Sequence, residues 1–185
     1  MYHASQMREF FAEYSTAYLC GHLHDGAGQI TRMQHLHKSG LAELELGDWK
    51  YNRKFRILSF DHDLFSFTDF YWRKSDTFIH ITNPPNWLLT NPEKQPIGKI
   101  GSSTHVRALI FSKLQLKKVD AIIDGKTVRM EQVENSNLWV APWDPKSNEP
   151  GNVTVITYDD QNHSEKVSNF YNLHYSKIQS SKVNF

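Results

Sequence analysis

The tetrapeptide Gly21-His22-Leu23-His24 has the residue types and spacing to do chemistry. Two histidines separated by one residue, at the end of a strand, can direct two imidazole nitrogens into one cleft. Neutral imidazole is a common ligand of divalent metal ions. A glycine before the first histidine lets the backbone turn tightly beside a bound ion. The tetrapeptide therefore predicts His22 and His24 as metal ligands, although histidines at this spacing also arise by chance in loops.

Three other groups invite a chemical interpretation, and each has a simpler structural one. His35 and His37 form a second H-x-H pair in a polar loop. Asp61-His62-Asp63 is explained by a turn between two strands, because aspartates bond their own backbone there. Cys20 is expected to be a small buried hydrophobe rather than a nucleophile. The sequence contains neither a G-x-S-x-G elbow nor a glycine-rich phosphate loop.

The elements that would position the G-H-x-H loop are a helix and a strand. Met7, Phe10, Phe11 and Tyr14 recur at helical spacing, and Ser5 can cap the helix that they predict. The apolar run from Thr16 to Cys20 predicts a buried strand that leads directly into Gly21. A helix, a strand and a Gly/His loop in this order are typical of an α/β layer.

The next segment changes to a two-residue period, which predicts strands. Residues 41–46, 55–60 and 64–70 are the candidates, with Gly47-Asp48 and residues 61–63 as turns. We expect these strands to form a small antiparallel meander that closes the first unit. A charged stretch around residues 71–76 then predicts a domain boundary across which few contacts pass.

The remainder predicts a β-sandwich. Phe78 to Ile81 start a strand, and residues 83–103 form a long loop with four prolines. Asp124-Gly125 is a strong hairpin signal, and Trp139 and Trp143 are expected to fill the core. Short strand-like runs follow the loop at regular spacing: residues 106–111, 119–123, 127–133, 138–141, 153–158 and 166–173.

Several runs resemble a known family. The helix, buried strand and G-H-x-H loop are similar to the closing motif of calcineurin-like metallophosphoesterases, in which each histidine binds one metal. Longer runs, from about Phe10 to Leu173, resemble the transmembrane protein 62 family: residues 18–24, 44–50, 56–67, 81–84, 103–107 and 143–145.

The resemblance implies a mixed α/β remnant followed by an all-β unit. Residues 1–75 would be the C-terminal remnant of a metallophosphoesterase α/β sandwich, residues 76–175 an immunoglobulin-like β-sandwich, and residues 176–185 a polar tail. It also implies a hydrolase with an unknown phosphoester substrate and a two-metal centre of divalent ions, to which His22 and His24 contribute. The family's earlier metal-ligand motifs do not precede His22, so we expect an inactive fragment that binds metal weakly. The alternative is a non-catalytic binding or structural module.

The resemblance implies a membrane-anchored family with lumenal or extracellular domains. This sequence itself shows neither a signal peptide nor a run of about 18 apolar residues. Asn152 and Asn162 match the N-x-[S/T] glycosylation acceptor. The formal charge of +1, from 21 Lys+Arg and 20 Asp+Glu, argues against a nucleic-acid partner. We also expect self-association through an uncovered apolar face of the first helix.

Overall fold

The computed structural model of the chain describes residues 4–21, 33–51, 53–145 and 150–173. The predicted N-terminal helix is confirmed as α1 (Ala4–Tyr14), so Ser5 lies inside the helix and not at its cap. The strands of the described ranges are β1 (Ala17–Cys20), β2 (Gln34–Leu36), β3 (Ala42–Glu45), β4 (Lys54–Asp61), β5 (Leu64–Tyr71), β6 (Thr77–Asn83), β7 (His105–Ser112), β8 (Leu116–Ile123), β9 (Lys126–Arg129), β10 (Glu131–Gln132), β11 (Leu138–Pro142), β12 (Gly151–Asp159) and β13 (Ser164–Tyr171).

The first sheet has the order β1-β3-β2. β1 runs parallel to β3, whereas β2 pairs with β3 in the antiparallel direction. The prediction of a buried β1 is wrong, because Tyr18 and Leu19 are 43% and 48% exposed. Within the described ranges β1 is paired along one edge, the one that meets β3.

The predicted antiparallel meander is also wrong in its pairing. β4 and β5 form a separate two-stranded ribbon, and β3 pairs with neither of them. The ribbon turns at His62 and Asp63, whose φ angles of 51° and 67° are those of a tight hairpin turn. Strand alternation gives the ribbon two faces, and both of them are used in packing.

The sandwich consists of two four-stranded sheets, in the orders β10-β11-β7-β6 and β13-β12-β8-β9. Alternate side chains of the central strands point inward, as in Val106 and Ala108 of β7, Val119 of β8, and Val153 and Val155 of β12, all of which are 0% exposed. The predicted Asp124-Gly125 hairpin is confirmed between β8 and β9, with φ angles of 48° and 84°. Of the two tryptophans predicted in the core, Trp143 is 7% exposed, whereas Trp139 is partly buried and packs against the core.

The long loop between β6 and β7 reaches back to the first sheet. It contains two short 3-10 helices, Trp87–Leu89 and Ile97–Ser102. Between them, the Asn91 amide donates to the Gly40 carbonyl over 2.6 Å, and the Gln95 side chain accepts from the Phe65 backbone N–H over 2.9 Å. The Lys94 ammonium also donates to the carbonyl of Ala12 in α1. The loop between β6 and β7 therefore binds α1, the ribbon and the turn before β3, and we call it the clasp.

No helix in the described ranges is long and apolar enough to cross a membrane.

Replacement of Trp143 by alanine should lower the free energy of unfolding by about 3–5 kcal/mol, because a buried aromatic ring would leave a cavity. The ring packs edge-on against Tyr171, with 5.2 Å between centroids. Urea titration followed by circular dichroism measures the loss. Trp49→Ala, at a site where the ring is 49% exposed, is the control and should cost much less. Equal losses in the two variants would show that Trp143 is not a core residue.

The predicted apolar face of α1 is largely exposed, with Met7, Phe10 and Tyr14 at 45%, 58% and 69%. Exposed apolar patches promote association, so the chain should form oligomers that light scattering detects. Phe10→Lys should shift the distribution toward the monomer. Glu9→Gln changes the net charge by the same amount at a neighbouring exposed position and should not. A chain that is monomeric without either substitution would refute self-association through this face.

Candidate functional site

The predicted metal-binding loop begins where β1 ends. Gly21 follows Cys20 directly, and an added Cβ at Gly21 would meet no atom within 4 Å. His22 and His24 lie outside the described residues. Burial and a hydrogen bond to Glu45 raise the pKa of the Cys20 thiol to about 12. Cys20 is therefore a neutral thiol at physiological pH, which agrees with the prediction that it is not a nucleophile. It is half-buried and not fully buried as predicted.

The described ranges contain no group of three or more His, Cys, Asp or Glu side chains arranged to hold a metal ion. His35 lies in β2 and not in a loop, and its ring is 4.4 Å from that of His37. The His37 Nε2 is 2.6 Å from the Glu43 carboxylate, which gives that imidazole a structural partner.

A buried polar arrangement that sequence reasoning did not identify is centred on His80. β6 is buried on both faces, and the His80 side chain is 0% exposed between the sandwich and the ribbon. Its Nδ1 lies 2.9 Å from the Thr68 hydroxyl, and its Nε2 lies 2.9 Å from Ser59 and 3.2 Å from Ser66. Hydroxyls can donate or accept, so both nitrogens of a neutral imidazole are satisfied.

Burial determines the protonation state of this histidine. Desolvation lowers the pKa of His80 to about 4, because the charged imidazolium has no counter-charge in its hydroxyl pocket. His80 is therefore neutral at pH 7 and acts as a polar connector. In the sequence, His80 is a single polar residue within the apolar strand Phe78-Ile79-His80-Ile81. Two-residue alternation places its side chain on the same face as those of Phe78 and Thr82, and this is the signal that could have identified it.

The face of β6 that carries His80 has a different kind of contact with the ribbon at each end. At one end, the Phe78 ring meets the rings of Phe55, Phe70 and Trp72 at centroid distances of 5.0, 5.3 and 6.0 Å. Aromatic contacts of this kind add about 0.5–1.5 kcal/mol each beyond simple burial. This end of the interface between ribbon and sandwich is therefore held by apolar packing.

At the other end, an ion pair replaces the apolar packing. The Asp61 carboxylate accepts from Arg107 Nε and from the Thr82 hydroxyl, each over 2.7 Å, and from His62 Nδ1 over 2.6 Å. Burial alone would raise the pKa of Asp61, but these three donors outweigh it and hold the pKa below its usual range. The predicted turn is confirmed at His62 and Asp63. Its aspartates were predicted to bond their own backbone, but the Asp61 carboxylate binds side chains of His62, β6 and β7, and Asp63 pairs with Lys99.

The opposite face of the ribbon contacts the first sheet. Arg56 is 5% exposed and donates to the carbonyls of Leu44 and Glu45 over 2.9 and 3.0 Å. Its Nε and Nη2 also donate to the Asp69 carboxylate over 2.6 and 2.9 Å. Glu45 is the register partner of Cys20, so Arg56 fixes the strand end that precedes Gly21. The charged stretch at residues 71–76 predicts a boundary that few contacts cross. The ribbon precedes this stretch in the chain and β6 follows it, yet the two pack on each other.

Both predicted glycosylation acceptors, Asn152 and Asn162, have exposed side chains. Asn152 lies in β12 on the outer face of the sandwich. Asn162 lies in the turn before β13, where its φ is 66°. Their use stays a prediction.

Lowering the pH from about 6.5 to 4 should destabilise the protein through His80. The folded state keeps this imidazole neutral while the unfolded chain takes up a proton, so stability is lost as the pH falls through this range. The shift from 6.5 to about 4 corresponds to about 3 kcal/mol at 1.36 kcal/mol per pH unit. Urea titrations across this range measure it.

His80→Gln should remove most of this slope, since glutamine can bond the same hydroxyls without titrating. Phe78→Leu is the matched control on the same face of β6. It should lower stability at every pH and leave the slope unchanged. A wild-type slope that persists in His80→Gln would show that other groups cause the pH dependence.

Comparisons with known proteins agree with this architecture. A family model described as the TMEM62 Ig-like domain matches residues 73–168. Transmembrane protein 62 of Mus musculus is 38% identical over 144 residues, which cover 78% of this chain and 22% of the mouse protein. This chain therefore spans about a fifth of that relative's length. Among solved structures, one of an engineered protein matches 51% of this chain and 19% of the engineered chain, with 17% identity. Its TM-score of 0.35 is too low to indicate a shared fold.

The family match covers more than half of the 185 residues, and the matched segment is the described sandwich from before β6 into β13. The chain belongs to the transmembrane protein 62 family and carries the immunoglobulin-like domain of that family.

Proposed function

We propose that this chain is part of a metal-dependent phosphoesterase, to which it contributes His22 and His24 as metal ligands. In this proposal the residues before the immunoglobulin-like domain are the end of a metallophosphoesterase α/β domain. The other ligands of the two-metal centre come from sequence that this chain does not contain. Two divalent ions would supply a hydroxide nucleophile and stabilise the charge that develops on phosphorus. The substrate is a phosphoester.

The observation that supports the proposal is the series of contacts from the end of β1 to the sandwich. Cys20 lies beside Glu45, Arg56 holds the Glu45 carbonyl, and the ribbon that contains Arg56 bonds to His80. A site loop must be held within fractions of an ångström for metal chemistry. Through these contacts, the immunoglobulin-like domain would hold in place the strand that precedes His22.

The parallel pairing of β1 with β3 also favours an α/β origin for the first sheet. All-parallel sheets occur almost only in α/β proteins, in which helices cover the sheet, and many sheets of that class add an antiparallel edge strand. The exposed side chains of β1 and α1 would be covered by the rest of that domain. Where no such domain covers them, these side chains of β1 and α1 form the surface through which self-association is expected.

A second candidate function is that of a non-catalytic binding or structural module. The sandwich supports this alternative because it has its own core, with strands β7, β8 and β12 each contributing fully buried side chains. Such domains host many unrelated binding functions. The two candidates differ in what His22 does: it is a metal ligand in the first and an ordinary loop residue in the second.

In a protein of the relative's full length that contains this sequence, His22→Ala should lower bound metal and phosphodiester hydrolysis together. We expect at least a hundredfold loss of activity and the loss of one equivalent of metal, because in this proposal His22 is a ligand of one of the two ions on which the reaction depends. Metal content by elemental mass spectrometry gives a readout that does not depend on activity. His35→Ala, in the second H-x-H pair, is the matched control and should change neither quantity.

This chain alone, supplied with Mn²⁺ or Zn²⁺, should hydrolyse bis(p-nitrophenyl) phosphate no faster than buffer. Turnover by the chain alone that His22→Ala abolishes would contradict the sharing of the metal centre with other sequence. Unchanged metal content and activity in the longer His22→Ala protein would show that His22 is not a metal ligand. That result would favour a non-catalytic role for the part of the protein that this chain represents.

A further inference from the structure

Four exposed aromatic side chains lie near the start of β4 and the end of β5. Trp49, Tyr51, Tyr71 and Trp72 are 49%, 70%, 37% and 44% exposed. The two indole rings are 6.2 Å apart between centroids. We call these four residues and the cations over them the aromatic-cationic patch.

Every ring of the patch has a Lys or Arg over its face. The distances from the cation to the ring centroid are 4.9 Å for Lys50 over Tyr51, 5.7 Å for Arg53 over Trp49, 5.1 and 4.0 Å for Lys54 and Lys74 over Tyr71, and 5.3 Å for Lys113 over Trp72. Cations at such distances are attracted by the ring quadrupole. The positive charge of this surface is therefore concentrated around its aromatic side chains.

The patch is fixed to the rigid part of the protein. The inner side of Trp72 stacks on the buried Phe78 at 6.0 Å and 16°, and its backbone N–H donates to the Arg53 carbonyl over 2.9 Å. Four carboxylates adjoin the patch: Asp76 pairs with Lys113, Asp48 accepts from the Tyr51 backbone N–H, and Asp69 and Glu165 line a pocket together with Tyr71 and Lys74. With the exposed Arg73 included, the named cations outnumber these four carboxylates by six to four.

We propose that the aromatic-cationic patch binds the surface of membranes that contain anionic phospholipids. Tryptophan and tyrosine concentrate at the interface between bilayer and water, where the ring lies among the headgroups and its polar edge stays hydrated. Each basic residue near an anionic bilayer adds a favourable electrostatic contribution. The patch offers both kinds of side chain near the start of β4 and the end of β5, with the rings already exposed.

The composition of the patch distinguishes a membrane from a protein partner. Protein interfaces are enriched in aromatic residues and arginine but depleted in lysine. Lysine supplies four of the five cations that cover the rings. A long lysine side chain can lie along a ring and extend its ammonium group to a lipid phosphate. The rings and the lysines together therefore suit a bilayer surface better than a folded partner.

Vesicle flotation of the full chain tests the proposal. Binding to vesicles of phosphatidylcholine with 30% phosphatidylserine should exceed binding to pure phosphatidylcholine at least tenfold and should weaken as salt is raised. The triple variant Lys50→Glu, Arg73→Glu, Lys74→Glu should lose at least tenfold in the partition coefficient. The matched control is Lys117→Glu, Lys126→Glu, Lys166→Glu, the same charge change at exposed positions outside the patch, and it should keep most of the binding.

A second measurement separates a bilayer from a soluble polyanion. Vesicles with brominated acyl chains should quench tryptophan fluorescence, and Trp49→Phe should reduce that quenching because Trp49 inserts. Equal loss in the two triple variants would overturn the proposal, since binding would then follow net charge. Displacement from vesicles by polyglutamate together with unquenched fluorescence would also overturn it, in favour of an acidic protein partner.

Discussion

A buried neutral histidine between three hydroxyls is the interaction on which this architecture depends. His80 sits on a strand that is buried on both faces, and it can only be there if Ser59, Ser66 and Thr68 satisfy its two nitrogens. The hydroxyls come from both strands of the ribbon, so the ribbon must lie on the sandwich in one register. A slip by one residue would turn its polar face away from His80.

The ribbon can join two units because its two faces have different chemistry. One face presents hydroxyls, aromatic rings and Asp61 to the sandwich. The other presents Phe65, Phe67 and Arg56 to the first sheet, where the two rings pack on Leu44. The clasp between β6 and β7 closes the same interface from the side through Asn91 and its neighbours. The immunoglobulin-like domain is thus attached to the first sheet by side-chain contacts as well as by the chain itself.

Most elements were predictable because they follow local rules. The helix followed from the spacing of its apolar residues, the sandwich strands from two-residue alternation, and the β8–β9 hairpin from Asp124-Gly125. Pairing was not predictable in the same way, since β3 joins β1 in parallel while the ribbon stands apart. Alternation reports which residues form a strand but not which strand is its neighbour. The metal ligands rested on one tetrapeptide, and His80 had no motif because its partners are 12 to 21 residues away in sequence.

Hydrogen–deuterium exchange read by mass spectrometry tests most directly whether the ribbon makes one cooperative body of the first sheet and the sandwich. We predict that Ser59→Ala, which removes one hydroxyl from His80, accelerates exchange in β3 and β6 by a similar factor, on the order of five to thirtyfold for about 1–2 kcal/mol. Faster exchange in β6 with no change in β3 would contradict this prediction, because the first sheet would then open independently of the sandwich.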